Sequence, residues 1–254
     1  MNFNITTFRN WLGRIKYYGI RNAFNLLRNL RKEGSFALKF DGNDFFLRGN
    51  TVDFAVFNSI LVKGEYDLDL SFNPEYIIDA GAFTGVSAVY FRHKYPDAKI
   101  IAVEPEKSNF DLLIRNTKPY KGIICVYGAV YGEDVSLVIS DEAAEKYAFR
   151  VERDNTGEVS LPGYTIETLM KKYQLSHIDI LKMDIEGAEY SVFKHNPCAW
   201  LPAVRVLVAE LHEFIHPGVR ELVISALKEA DLMISWKGEN LIAYRDIAEN
   251  AKII

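Results

Sequence analysis

Two short stretches of the 254-residue sequence carry residue types whose spacing could do chemistry: DAGAFTG at residues 79–85 and KMDIEG at residues 182–187. In the first stretch, an apolar run ends in Asp79 and passes through Gly81 and Gly85 into a predicted helix. Gly81 can adopt backbone angles that are closed to other residues, and it lets a ligand approach the main chain. The N–H groups at the following helix N-terminus can bind an anion. The pattern therefore predicts a ligand at the tip of a strand.

Asp79 restricts which ligand fits this loop. A carboxylate at the strand tip favours a cationic group and repels a pyrophosphate, and the dinucleotide fingerprint needs a third glycine that GAFTG lacks. S-adenosylmethionine suits the loop better, because its ammonium can pair with Asp79 while its carboxylate takes backbone N–H groups. Glu104 follows Gly81 by 23 residues (104 − 81), close to the roughly 20 after which an acid reaches a ribose diol. Both S-adenosylmethionine and NAD carry that diol, so Glu104 does not choose between them.

The second stretch lies near the end of another predicted strand, on which Lys182 and Asp184 share one face. A lysine in a central strand is costly unless it is paired, and Asp79, Asp184 or Glu210 could supply the partner. Asp184 and Glu186 could instead serve only the next helix N-terminus, where acids are stabilised. Because Lys182, Asp184 and Glu186 all fall on the ligand-binding edge, we predict that they act in catalysis.

His212 ends the run VRVLVAELH and is the predicted general base. A histidine with an ordinary pKa near 6.5 can accept the proton of a hydroxyl during methyl transfer, and a lysine could serve if burial lowers its pKa. A hydrogen-bonded histidine with a structural role only is an equal alternative. Asp184, Glu210 and His212 could also approach one another around a hard divalent ion. Nothing in their spacing demands an ion, so the sequence predicts no metal site.

Alternating strand and helix patterns position these residues. Runs such as IIAVE and VRVLVAE are typical of strands buried on both faces of a parallel sheet, and their alternation with helices predicts a doubly wound, Rossmann-like α/β domain. The tail, LMISW-KGEN-LIAYR, predicts an antiparallel C-terminal hairpin. Predicted strands span 76–79, 99–104, 122–126, 178–184 and 204–211, and predicted helices span 84–93, 108–117 and 219–230. The predicted cofactor contacts are Asp79, Gly81, Ala82, Phe83, Thr84, Gly85, Glu104, Pro105, Gly128 and Asp184.

The N-terminal part differs in composition. Residues 5–31 have apolar spacings of three and four, broken near Gly19, which predicts helices, and seven of the first 33 residues are basic against one acid. These helices could contact an anionic membrane surface weakly, or they could present a solvated face. FALKFDGNDFFLRG predicts a small hairpin, and Thr51 caps the next helix. We divide the chain into this basic extension, residues 1–50, and an S-adenosylmethionine-binding domain, residues 51–254.

Composition limits the classes of function. A formal net charge of −4 gives no global attraction to nucleic acid, and no stretch approaches the roughly 18 uncharged residues that a membrane span needs. The two cysteines stand far apart, so we expect reduced thiols in a cytoplasmic protein. The sequence leaves a homo-oligomer open.

The charged segment 140–163 lies between the predicted third and fourth strands of the sheet. It is a candidate lid over the pocket of a small-molecule or glycan acceptor. Lys146, Tyr147 and Arg150 are its candidate acceptor contacts. A surface excursion without a role in binding is nearly as good an interpretation.

Five ordered motifs resemble those of the FkbM-type methyltransferases: DAGAFTG, AVEPEKSNFDLLIRN, YTIETLM, DILKMDIEGAEYSVF and LVAELH. The resemblance covers roughly residues 51–212. It implies a class I, S-adenosylmethionine-dependent fold with a C-terminal antiparallel strand, and O-methylation, commonly of sugar or polyketide hydroxyls. The implied cofactor contacts are Asp79, Gly81 and Glu104, and the implied lining of the reacting end is Lys182, Asp184 and Glu186.

We therefore expect an S-adenosylmethionine-dependent O-methyltransferase that acts on a hydroxyl of a sugar, a glycan or a polyketide-type natural product. An NAD-dependent oxidoreductase is the first alternative, and the missing third glycine, Asp79 and the terminal hairpin argue against it. A non-catalytic binding module on the same fold is the second alternative, which the acids of the second stretch and His212 disfavour.

Overall fold

A computed structural model describes the chain over residues 19–140, 150–154 and 160–245. The candidate acceptor contacts Lys146 and Tyr147 lie outside these ranges, as do the first 18 residues of the basic extension. The chain divides into two compact units, Met1–Gly64 and Glu65–Ile254.

The described part of the first unit, residues 19–64, contains a helix, a hairpin and a second helix. Its elements are α1 (residues 19–29), β1 (Ser35–Phe40), β2 (Asn43–Arg48) and α2 (Asp53–Leu61). The predicted hairpin is confirmed. The side chain of Asn22 joins α1 to β1, because it donates to the Lys39 carbonyl at 2.7 Å and accepts from the Lys39 N–H at 2.8 Å. Helix α2 begins at Asp53 with Val52 as its N-cap, so the N-cap predicted at Thr51 lies one residue too early, although the Thr51 hydroxyl accepts the N–H of Asp53 at 3.2 Å.

Helix α2 belongs to this first unit, so the chain divides after Gly64 and not after residue 50 as the sequence predicts. The ring of Phe57 in α2 lies 5.3 Å from the ring of Phe45 in β2. The fully buried carboxylate of Asp53 accepts the backbone N–H of Arg48 at 2.8 Å and pairs with its guanidinium at 2.9 Å. These apolar and ionic contacts hold α2 against the hairpin.

The second unit alternates strands and helices, as the sequence predicts. Its strands are β3 (Tyr76–Ala80), β4 (Lys99–Glu104), β5 (Ile123–Tyr127), β6 (Ala129–Val130), β7 (Ser136–Ser140), β8 (Arg150–Arg153), β9 (Leu161–Tyr164), β10 (Ile178–Met183), β11 (Val204–Glu210), β12 (Met233–Lys237) and β13 (Asn240–Tyr244). Its helices are α3 (Val86–Lys94), α4 (Lys107–Thr117), α5 (Ile166–Tyr173), α6 (Glu189–Lys194) and α7 (Val219–Glu229).

The main sheet has seven strands in the order β12-β13-β11-β10-β3-β4-β5. The strands from β11 to β5 run parallel, and β13 pairs with β11 and with β12 in the antiparallel direction. The doubly wound α/β fold and the C-terminal hairpin are therefore confirmed. All six residues of β10 are buried, because this strand lies between two parallel neighbours in the middle of the sheet.

The strand order decides where a ligand can bind. β3 lies between β4 and β10, so the order of strands along the chain reverses at β3. In open α/β sheets such a switch point opens a crevice outside the carboxyl ends of the strands. The loops that follow β3, β4, β5, β10 and β11 meet at this edge, and the predicted site residues lie in these loops or at the strand ends before them.

A separate small sheet has four strands in the order β6-β9-β7-β8. The sequence predicts no strand in segment 140–163, yet β8 pairs with β7, and β9 pairs with both β6 and β7. Ala129, Leu137 and Leu161 form the buried centre of this sheet. Such short strands give weak periodic patterns, which is why the sequence misses them. Arg150 begins β8. The lid stays a prediction, because residues 141–149 and 155–159 of the segment lie outside the described ranges.

Two expectations from composition can be compared with these features. Cys125 and Cys198 are free thiols, as expected. Within the described ranges, no helix combines the length and the apolar character needed to cross a membrane. Weak contact of the basic helices with a membrane surface stays a prediction.

Candidate active site

The glycine loop joins β3 to α3 at the switch point. Gly81 has a φ of +76°, and a Cβ atom there would lie 1.8 Å from the carbonyl oxygen of Asp184. The N–H groups of Gly81 and Ala82 both donate to the Val103 carbonyl, at 3.0 and 2.9 Å. The loop thus needs glycine for a close approach between two chain segments, whereas the sequence suggests an approach of a ligand.

A buried ion pair lies directly beneath this loop. Asp79 has no exposed surface, accepts the Ser87 hydroxyl at 2.6 Å and has its Oδ1 3.4 Å from the Nζ of Lys182. Lys182 donates from Nζ to the carbonyl of Gly81 at 2.6 Å and to that of Ala80 at 3.3 Å. The ammonium therefore fixes the backbone of the loop. The carboxylate of Asp79 has the Ser87 hydroxyl as a donor to Oδ2 and Lys182 as its counter-charge, while its Oδ1 makes no hydrogen bond to the described residues.

The charge of Lys182 excludes one predicted role. Burial acts to lower the pKa of Lys182, but the charges of Asp79 and Asp184 outweigh it and raise that pKa above its ordinary value. A lysine with a raised pKa stays protonated at neutral pH and cannot accept a proton. The alternative of a lysine base with a pKa lowered by burial is therefore wrong. Because Nζ also lies 3.8 Å from Asp184 Oδ2, Lys182 positions the loop and Asp184 together.

Glu104 ties the glycine loop to the next helix. Its Oε2 accepts the N–H of Phe83 at 2.9 Å, and its Oε1 accepts the N–H of Glu106 at 3.0 Å and the amide of Asn109 at 3.3 Å. Burial raises the pKa of Glu104 to about 7, although these hydrogen bonds oppose the shift. The sequence places Glu104 at a ribose; the structure adds that it also holds Phe83 in a left-handed conformation, with a φ of +49°.

The other predicted cofactor contacts lie on the same edge of the sheet. Gly85 is the N-cap residue of α3, has a φ of +88° and offers no side-chain cap. Gly128 follows β5, and its N–H donates to the Glu104 carbonyl at 3.2 Å. Ala82 and Thr84 belong to the glycine loop, and Pro105 follows β4.

His212 lies at the centre of a second ionic cluster, beyond the end of β11. Its Nδ1 is 3.0 Å from Oε1 of Glu189, a fully buried residue in the first turn of α6. Its Nε2 lies 3.4 Å from Glu186 Oε2, 3.9 Å from Asp184 Oδ1 and 3.9 Å from Glu210 Oε1. Four carboxylates thus surround one imidazole, and the structure brings together all the predicted catalytic residues of β10 and β11.

These neighbours change the protonation of the cluster. Burial acts to lower the pKa of His212, but the hydrogen bond and charge of Glu189 outweigh it and raise that pKa to about 9. Burial raises the pKa of Glu186 and of Glu210 to about 7, against the charge of His212. At neutral pH the imidazole is therefore protonated, so His212 alone is not the free base that an ordinary pKa near 6.5 predicts.

Three participants at this edge have no role in the sequence prediction. Glu189 orients His212, and its Oε1 also accepts the Ile185 N–H at 3.1 Å. Ser87 supports Asp79, and Tyr66 is a buried residue whose ring centroid lies 5.7 Å from the Nζ of Lys182. The E-G-x-E spacing holds a signal for Glu189, whereas Tyr66 precedes β3 in an irregular segment whose sequence gives none.

Comparison with known proteins decides the family. A family model described as the methyltransferase FkbM domain matches residues 79–235, more than half of the chain. The chain belongs to the FkbM methyltransferase family. The resemblance noted in the sequence is thereby confirmed, methyltransferase is the function that this family supports, and the NAD-dependent oxidoreductase loses its support.

Individual relatives are also named as methyltransferases. Methyltransferase sdnD of Sordaria araneosa is 27% identical over 209 residues, which are 68% of this chain and 80% of that protein. Methyltransferase 1 of Beauveria bassiana is 23% identical over 162 residues, 55% of this chain and 65% of that protein. The crystal structure of methyltransferase FkbM from Methylobacillus flagellatus matches with a TM-score of 0.51 at 15% identity, over 74% of this chain and 47% of that one. The chain thus spans just under half of that FkbM-family protein, and the match shows the class I methyltransferase fold.

Proposed function

We propose that this FkbM-family protein is an S-adenosylmethionine-dependent O-methyltransferase whose acceptor is a hydroxyl of a sugar, a glycan or a polyketide-type natural product. Family membership supports methyl transfer. The carboxylate cluster around His212 is the observation that supports a hydroxyl as the acceptor group. An alcohol must lose its proton as its oxygen is methylated. Carboxylates that outnumber the cations around them are suited to take up that proton.

Two features of the glycine loop fit the cofactor. Glu104 accepts three hydrogen bonds from the chain, and a carboxylate has about four acceptor positions, so about one is left for a ribose hydroxyl. Helix α3 has no side-chain cap and no acid in its first turn, so its N-terminal N–H groups suit the carboxylate of the cofactor. Asp79 does not fit the predicted contact with the cofactor ammonium, because it is fully buried and pairs with Lys182.

When bound, S-adenosylmethionine supplies a methyl group on a cationic sulfur, which keeps the electron pair of the carbon–sulfur bond as the acceptor oxygen bonds to the carbon. Lys182 contributes by holding the loop at Gly81 and the side chain of Asp184 in fixed positions. Asp184, Glu186 and Glu210 supply negative charge that can stabilise the cationic sulfur and the proton that leaves the hydroxyl. One of these carboxylates receives the proton of the hydroxyl. Much of the rate enhancement in such a transfer comes from holding the reacting groups in line.

Two measurements on the purified protein test this proposal. Calorimetric titration with S-adenosylhomocysteine should give one bound molecule per chain. Incubation with methyl-deuterated S-adenosylmethionine and a panel of glycosides and polyketides should give a labelled methoxy product, identified by mass spectrometry and NMR. Matched acceptors in which the hydroxyl is replaced by hydrogen or by an amine serve as controls. Methyl transfer to the amines alone would contradict O-methylation, and binding without transfer to any acceptor would favour the non-catalytic module.

A further inference from the structure

The cluster beyond β10 and β11 has the ligand chemistry of a cation site. We propose that Asp184, Glu210 and His212 bind one divalent cation of the Mg²⁺ or Mn²⁺ class beside the glycine loop. The spacing of these residues in the sequence demands no metal, but in the structure one ligand atom from each lies within 4.8 Å of the other two. Ligand atoms about 2.1 Å from such a cation lie about 3 Å apart when adjacent and about 4.2 Å apart when opposite. Small side-chain movements therefore suffice to close the site.

The orientation of His212 is a second observation that points to a cation. The residue is 5% exposed, and Glu189 holds its Nδ1 at 3.0 Å. This contact turns Nε2 toward three carboxylates, with Glu186 Oε2 at 3.4 Å and Asp184 Oδ1 and Glu210 Oε1 at 3.9 Å each. A metal-ligating histidine commonly donates its other ring N–H to a carboxylate, which fixes the tautomer and the ring plane. Glu189 has the position and the burial that this supporting role requires. A cation on Nε2 displaces the proton that this nitrogen carries at neutral pH, so binding releases that proton to water.

The balance of charge also favours a bound cation. Four carboxylates approach the one imidazole: Asp184, Glu186, Glu189 and Glu210. The ammonium of Lys182 lies 3.8 Å from Asp184, but it donates to the carbonyl of Gly81 and pairs with Asp79. Like charges this close repel unless a counter-charge lies among them. Without a cation, protons relieve part of this repulsion at neutral pH, because burial raises the pKa of Glu186 and of Glu210 to about 7. A divalent cation would take the place of those protons.

The mixture of ligand atoms selects the class of cation. Carboxylate oxygens suit Mg²⁺ and Mn²⁺, while an imidazole nitrogen suits the later transition metals better. Two carboxylates with one imidazole therefore favour Mn²⁺ among the hard ions. A hydroxyl bound to such a cation loses its proton more readily than in water. The role of the cation in deprotonating a hydroxyl rests on the O-methyl transfer proposed above, whereas the binding of the cation does not.

Titration of the chelator-treated full chain with Mn²⁺ tests the site without cofactor or acceptor. Electron paramagnetic resonance of free Mn²⁺ should show one ion bound per chain at micromolar concentration. Asp184→Asn and Glu210→Gln should each weaken binding by at least about 10-fold, and Glu189→Gln by about 10–100-fold through its effect on His212. Glu213→Gln is the matched control, because Glu213 neighbours His212 in sequence but pairs with Arg220 at 3.1 Å. Its affinity for Mn²⁺ should equal that of the wild type.

Several outcomes would overturn the cation site. These are no saturable binding to the wild type, binding that survives both Asp184→Asn and Glu210→Gln, or equal loss in Glu213→Gln. Thermal unfolding of each variant separates loss of the site from loss of the fold, and Glu210, with a side chain 30% exposed, can be changed with little disturbance. Mn²⁺ binding without a methoxy product would leave this inference standing and contradict the proposed function. A methoxy product without Mn²⁺ binding would do the reverse.

Discussion

The two ionic clusters at the carboxyl edge of the sheet use the same residue types in opposite ways. Beneath the glycine loop, Asp79 and Lys182 form a pair that is balanced in charge and closed to solvent. Around His212, carboxylates outnumber cations, and the side chains of Asp184, Glu186 and Glu210 are 23–30% exposed. A closed and balanced pair can only hold its surroundings in place. An open cluster with surplus charge has capacity left for a proton, a substrate or a cation.

Lys182→Met should break the closed pair with the largest loss of stability. It leaves Asp79 buried without its counter-charge, which costs about 3–5 kcal/mol of unfolding free energy. Lys107→Met is the control, because Lys107 forms an exposed pair with Asp111 that contributes about 0–1 kcal/mol. Urea unfolding compares the two variants. Adding Asp79→Asn to Lys182→Met should recover part of the loss, and equal effects of the two lysine variants would contradict the assigned role.

Gly81→Ala should lower the free energy of unfolding by about 2–5 kcal/mol, the next largest effect. The cost of a left-handed backbone conformation at alanine and the cost of overpacking add at this position. Gly218→Ala is a matched control, since Gly218 has a φ of +87° but nothing within 4 Å of its missing Cβ. Its cost should be only the strain, about 1–2 kcal/mol. The difference between the two variants in thermal unfolding isolates the contact with the carbonyl of Asp184. No difference would show that this close approach has no energetic weight.

Glu104→Gln should change the pH dependence of stability. Burial raises the pKa of Glu104 from 4.5 to about 7, so between these values the folded state binds more protons than the unfolded chain at this group. The unfolding free energy of the wild type therefore falls as the pH rises through this window. Relative to the wild type, the variant should gain about 2–3 kcal/mol between pH 5 and pH 8. A constant difference across this range would contradict the raised pKa.

Asn109→Ala should have the smallest effect of these changes. Its amide donates to Glu104 at 3.3 Å, and loss of one hydrogen bond costs about 1 kcal/mol. We expect an affinity for S-adenosylhomocysteine lower by about fivefold, measured by calorimetry. Ile114→Ala, on an exposed position of the same helix, should leave the affinity unchanged. An equal affinity for both variants would remove Glu104 from the cofactor site.

The sequence predicts the closed pair of Asp79 and Lys182 better than it predicts the open cluster around His212. The central strands have consecutive apolar residues, so their type and order follow from the pattern, and the resemblance of the motifs gives the family. The pairing of Lys182 with Asp79 could be predicted as one of three options, because a buried lysine needs a partner. The direction of its pKa shift could not, since burial and charge oppose each other and only distances decide which prevails.

The contacts and the pKa shifts of the cluster around His212 could not be predicted from sequence patterns. The predicted base has a raised pKa because Glu189, the first residue of α6, contacts its Nδ1. That contact depends on how α6 packs beside the end of β11, which no local spacing reports. The small sheet from β6 to β9 was missed for a related reason: its strands are two to five residues long and bury only a small centre. Short elements gain their structure from neighbours that are distant in the chain.

Glu189→Gln provides the most direct test of the claim that the open cluster serves methyl transfer while the glycine loop holds the cofactor. The amide keeps the shape of the side chain but loses the charge that orients His212. We predict an affinity for S-adenosylhomocysteine within about twofold of the wild type and a turnover of the hydroxyl acceptor lower by about 10–100-fold, with Glu213→Gln as the control. Unchanged turnover, or equal losses of affinity and turnover, would contradict this account.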